Sequence, residues 1–116
     1  RRELHHGGGD LIEVKIPKKI KVAGFTYIIT SSKSRDATLD ASNYWGEAKH
    51  GMKKEIALST TIPKQQLDNT FIHECIHASD AVNNSANRMT ESQVEGIGNG
   101  LHQIFEQLGI TFVRSK

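Results

Sequence analysis

Residues 63–82 carry the pattern that most limits what this chain can fold into. Leu67, Phe71, Cys75, Ala78 and Val82 recur at spacings of 4, 4, 3 and 4, the rhythm of one apolar stripe along an α-helix. Pro63 suits the first turn, where its missing N–H costs nothing. A second helix is announced by Thr90-Glu91-Ser92-Gln93, a capping box in which Thr90 and Gln93 satisfy each other's backbone N–H groups. Val94, Ile97, Leu101, Ile104 and Leu108 read as its core stripe, and Gly109 ends it. Each helix needs a surface on which to bury its stripe, and the segment before them supplies strands.

Leu11, Ile12, Val14 and Ile16 suggest a first strand, closed by Pro17. Ile20–Val22 and Phe25–Thr30 flank Ala23-Gly24, a hairpin signal in which Gly24 takes a positive φ. Ser31 to Arg35 reads as a polar loop and Ala37 to Ala41 as a strand. Asn43 to Ala48 follows as another strand, with the turn at Lys49-His50-Gly51 and a further strand at Glu55 to Ser59. The fold class expected is α+β: a small mixed or antiparallel sheet of three to five strands packed on the first helix, with the second helix beside it. With 116 residues the chain has enough apolar surface for one core, so residues 11–116 form one domain. Residues 1–10, with His5-His6-Gly7-Gly8-Gly9, read as a flexible, tag-like leader, and His5 and His6 are not counted among the candidate ligands.

Chemistry enters on the first helix. His73-Glu74-Cys75-Ile76-His77 fits His-Glu-x-x-His. Residues four apart lie about 40° from each other around a helix axis and one turn apart along it, so both imidazoles reach one ion. Both stand nearly opposite Cys75, on a face with no packing need for imidazole. Glu74 is offset by about 100°, within reach of a water on the ion without being a ligand itself. A metal lowers the pKa of such a water from about 15.7 towards ~7, and Glu74 would take its proton as general base. Cys75 should point into the core as a small apolar residue and act neither as nucleophile nor as ligand.

Two histidines leave a tetrahedral zinc short of ligands; a catalytic site takes one more from the protein and keeps a position for water. Asp80, Glu91, Glu95 and His102 are the downstream candidates. Asp80 follows His77 by three residues on the same helix and cannot easily curl back, so it reads as a solvated or capping carboxylate. Glu91 is better placed, in the first turn of a separate helix whose dipole favours a carboxylate and which a short loop can fold over the histidines. Glu95, one turn on, could accept the free N–H of a ligating histidine and fix its tautomer. The donor for a developing oxyanion is left open among His50, Tyr44 and His102. Gly96, Gly98 and Gly100 within one helix imply close approach to a neighbouring element, with a hinge as the rival reading.

His73-Glu74-x-x-His77 followed by Glu91-x-x-x-Glu95 resembles the gluzincins, the thermolysin-like zinc peptidases. The likeness is strongest to very small members, the minimal gluzincins and ImmA/IrrE-type proteins of bacteria and phages, and it spans about Glu55 to Leu108. It implies one zinc ion per chain held by His73, His77 and Glu91, Glu95 as the residue that steadies a ligand, Glu74 as the catalytic base, and a peptide or protein substrate. The residues depart from the pattern of the large enzymes in the short loop between the helices and in a glutamate, Glu95, where aspartate is common.

Composition narrows the rivals. The net charge of +2, with both signs interspersed, and the lack of a basic stripe on a helix argue against nucleic acid. Lys15, Lys18, Lys19 and Lys21 around Pro17 read as a solvated turn. No apolar run approaches the ~18 residues of a membrane span, no secretory signal is visible, and one cysteine allows no internal disulfide; together these suggest a cytoplasmic protein. The alternative to a hydrolase is a regulatory zinc-binding interaction module that keeps the ligands without turnover. A closed structural zinc site fits less well, because such sites favour cysteine and have no use for Glu74.

Overall fold

The computed structural model of the chain describes residues 11–41 and 45–115. The expected leader over 1–10, and Asn43 and Tyr44, lie outside the described residues. The elements run β1 (Ile12–Lys15), β2 (Lys19–Val22), β3 (Phe25–Thr30), α1 (Lys33–Ala41), β4 (Gly46–His50), β5 (Lys54–Leu58), α2 (Lys64–Asn83), α3 (Glu91–Gln107) and β6 (Ile110–Val113). The fold is α+β, with a mixed four-stranded sheet ordered β2-β3-β5-β4 and a separate parallel pair, β1-β6.

The hairpin between β2 and β3 turns on Ala23 and Gly24, with φ of 50° and 85°. Positive φ at both central residues is the type I′ geometry that matches strand twist. β3 pairs in parallel with β5, and β4 adds antiparallel to the far side of β5. β4 is therefore an edge strand. The core gathers Tyr27, Ile56 and Leu58 from the sheet, Ile16 and Ile62 from connections, and Leu67, Phe71 and Ala78 from α2, with Cys75 and Val82 packed against it. The apolar stripe of α2 lies where the spacing puts it. Pro63 stands just outside the helix, at its N-cap.

Three expectations need correction. Residues 33–41 form a helix rather than a loop and a strand. Ser32 starts it, its hydroxyl accepting from the Arg35 N–H at 3.2 Å and its carbonyl from the Asp36 N–H at 2.9 Å. Asp36 and Leu39 then face inward, three residues apart. β4 continues through His50, so the turn begins at Gly51. The stripe predicted for α3 is only partly covered: Val94 is fully buried, but Ile97, Ile104 and Leu108 are about half exposed (49, 51 and 58%). α3 instead turns Val94, Gly98, Leu101 and Phe105 inward, because Gly98 is where the helices meet; a Cβ there would stand 3.6 Å from Ile76 Cδ1 and 3.9 Å from His73 Cα. Nothing approaches Gly96 or Gly100 within 4 Å of a Cβ position, so close approach explains one of the three glycines.

No helix among the described residues is long and apolar enough to cross a membrane.

Candidate metal centre

The helix α2 carries His73 and His77 on a face that borders a cleft with Gly46 and Glu47 of β4, and α3 brings its first residue, Glu91, against both imidazoles. Thr90 caps α3 as its sequence predicts: its hydroxyl accepts from the Gln93 N–H at 3.1 Å, and the Gln93 side chain accepts from the Thr90 N–H at 2.9 Å. The two Nε2 atoms are 3.1 Å apart. Each lies 3.0 Å from one oxygen of Glu91, His73 from Oε2 and His77 from Oε1. Among the described residues this is the one group of three or more histidine, cysteine or acidic side chains whose ligand atoms lie within 4.8 Å of one another.

The donor set and spacing suit a zinc ion. With Zn–N and Zn–O of ~2.0–2.2 Å, neighbouring ligand atoms of a tetrahedral ion stand roughly 3.3 Å apart, close to the separations here. The histidine side chains are mostly buried (20 and 23% exposed), while Glu91 is open to solvent at 64%. Burial, then the neighbouring His73, holds the His77 imidazole below its ordinary pKa against the opposing pull of Glu91. The shift favours the neutral imidazole, the form that binds metals.

Glu74 is the buried member of the pentad, 7% exposed. It lines two clefts that share Gly46, His73 and Glu91. One, of about 510 Å³, is bordered by Trp45, Gly46, Thr70, His73, Glu91 and Glu95 among others. The second, of about 440 Å³, is bordered by Gly46, Glu47, His73, Glu74, His77 and Glu91. Burial above all, then the charges of Glu91 and Glu47, pushes the Glu74 carboxyl up to about 8. Cys75 packs against the core as its position predicts, and burial, then Glu74, pushes its thiol up to about 12.

Of the remaining candidates, Glu95 borders the larger cleft, but among the described residues no hydrogen bond joins it to His73 or His77; the steadying contact expected of it is not formed. Asp80 is neither solvated nor a ligand: it is 2% exposed and turned towards Arg88. His50 sits at the far end of β4 with its Nδ1 2.8 Å from the buried Tyr27 hydroxyl. Neither His50 nor His102 lines the two clefts at the histidines, and Tyr44 lies outside the described residues.

Gly46 and Glu47 are site residues that the sequence alone did not single out. A Cβ on Gly46 would stand 3.0 Å from Thr70 Cγ2, 3.1 Å from Glu74 Cγ and 3.3 Å from the Ala57 carbonyl oxygen. This glycine lets β4 press against the histidine-bearing helix at Glu74. The signal available was a glycine opening a strand, which marks close backbone approach.

Compared with known proteins, the chain matches no family model, no curated protein and no solved structure. The likeness to gluzincins rests on the residues named above.

Proposed function

We propose that this chain is a zinc-dependent hydrolase that cleaves peptide bonds. The observation that carries the reading is the convergence of His73 Nε2, His77 Nε2 and the Glu91 carboxylate at 3.0–3.1 Å, with Glu74 buried beside them and facing the same clefts. His73, His77 and Glu91 would hold the ion. A bound zinc supplies Lewis acidity and brings a water to nucleophilic strength near neutral pH. The positive charge of a bound ion would favour the ionised form of Glu74 against its burial, and Glu74 then moves the proton: its carboxylate takes one from the attacking water and returns it to the nitrogen of the departing amine. Trp45 just ahead of β4, and Gly46 and Glu47 within this edge strand, wall the clefts, so an extended peptide could pair with β4 and lie across the histidines.

Glu74→Gln is the test. It keeps size and burial and removes the base, so zinc should remain while peptide cleavage falls by about 10²–10⁴-fold. A variant that cleaves as fast as the parent would remove Glu74 from the mechanism. Stoichiometric zinc with no cleavage across a broad peptide library would favour the interaction module instead.

A further inference from the structure

Glu91 is exposed, and among the described residues its carboxylate pairs with no side chain other than the two histidines it approaches. Its place is therefore inherited from the backbone behind it. That backbone is held by Asp80, at the C-terminal end of α2, one turn beyond His77. The Asp80 side chain is 1% exposed. It accepts three hydrogen bonds: from Arg88 Nε at 2.6 Å, from the Met89 N–H at 3.0 Å and from Asn84 Nδ2 at 3.1 Å. All three donors belong to the connection between α2 and α3. Met89 stands two residues ahead of Glu91, and Thr90 between them is fixed by the capping box.

A helix end needs no desolvated anion; a hydroxyl or an amide satisfies it in water. Burying a carboxylate is costly unless it is fully paired, and here each partner pins a different point of one short segment. The arrangement is a clamp. It ties the helix that carries the histidines to the residue before the N-cap of the helix that carries Glu91.

We propose that Asp80 is a positioning residue of the metal centre: through Arg88 and the Met89 N–H it fixes the approach of Glu91 to His73 and His77. The proposal rests on the zinc reading above. Zinc affinity, measured by competition with a chromophoric chelator, should fall by about 10–100-fold in Asp80→Ala. In a Glu91→Ala background the same change should cost no more than about twofold, because the group it positions is gone. The absorption spectrum of the cobalt-loaded Asp80→Ala protein should move towards that of cobalt-loaded Glu91→Ala. Arg88→Ala, at a half-exposed side chain, should follow Asp80→Ala with a smaller loss. If Asp80→Ala does not fold, as judged by circular dichroism without metal, Asp80→Asn takes its place; it keeps the volume and one acceptor but lacks the charge that holds Arg88. Unchanged affinity in the Asp80 variant overturns the proposal. So does an equal loss with and without Glu91, which would mean that the fold merely loosens. If the parent chain binds no zinc, the zinc reading fails first, and that arm alone shows it.

Discussion

Gly46→Ala is the substitution that probes most closely how the sheet meets the histidine-bearing helix. The new methyl group would enter a gap walled on three sides, at 3.0 Å from Thr70 Cγ2, 3.1 Å from Glu74 Cγ and 3.3 Å from the Ala57 carbonyl oxygen. Carbon atoms in good contact stand about 3.5–4.0 Å apart, so β4 and α2 must separate by a few tenths of an ångström. The two side-chain walls do not yield easily: Thr70 is β-branched and stiff within its helix, and Glu74 is buried. Overpacking of this kind costs about 1–3 kcal/mol, offset by the 0.4–1 kcal/mol or so gained when a glycine leaves the unfolded chain. A net loss of about 1–2 kcal/mol should lower Tm by roughly 4–8 °C for a chain of this size. Thermal unfolding of the metal-free protein measures it. Because Glu74 is one of the walls, cleavage should also slow by up to about tenfold, a fraction of the roughly hundredfold that a 1 Å misplacement costs. If Gly46→Ala is as stable and as active as the parent, β4 does not press on α2 as described, and the placement of Glu74 must be redrawn.

Other outcomes follow from the same contacts. Asp80 is held down to about 2, chiefly by its hydrogen bond from Arg88 and further by those from the Met89 N–H and Asn84, against burial, which raises it. Its folded pKa lies below its unfolded one, so its contribution to stability is complete above about pH 4 and is lost as the pH falls towards 2; urea midpoints should fall over that window, and less steeply in Asp80→Asn. Ala23 carries a φ of 50° that alanine tolerates poorly, so Ala23→Asn should raise stability by up to about 1 kcal/mol in chemical denaturation. Gly96 faces open space within α3, and Gly96→Ala should stabilise by about 1 kcal/mol; a destabilised variant would show that this face of α3 is covered after all. Tyr27→Phe removes the partner of His50 Nδ1 and should cost about 1–2 kcal/mol in the same assay.

Local signals carry much of this fold. The stripe from Leu67 to Val82, the capping box at Thr90 and the turn at Ala23-Gly24 each depend on residues a few positions apart, and each is found where the pattern predicts it. The grouping of His73, His77 and Glu91 is legible for the same reason: two residues share a helix face, and the third opens the next helix. What escapes depends on distant partners. β1 pairs with β6, about 98 positions along the chain, and nothing local in Ile110–Val113 announces that pairing. Residues 37–41 alternate apolar and polar side chains, which imitates a strand until Ser32 and the sheet behind Leu39 decide for a helix. The inner face of α3 departs from its apolar stripe because Gly98, which carries no hydropathy signal, is its contact point. The sequence leaves Asp80 as a solvated or capping carboxylate, because its partners, Arg88 and the Met89 N–H, fold back onto it only after the connection closes.

The proposed hydrolase needs one ion held between His73, His77 and Glu91. Zinc content and affinity of the chain carrying His5→Ala and His6→Ala, with and without Glu91→Ala, test it most directly. One zinc per chain is expected in the first protein, with a loss of affinity of at least about a hundredfold when the third ligand is removed. Zinc retained with equal affinity after Glu91→Ala, or no stoichiometric zinc in either protein, would contradict it.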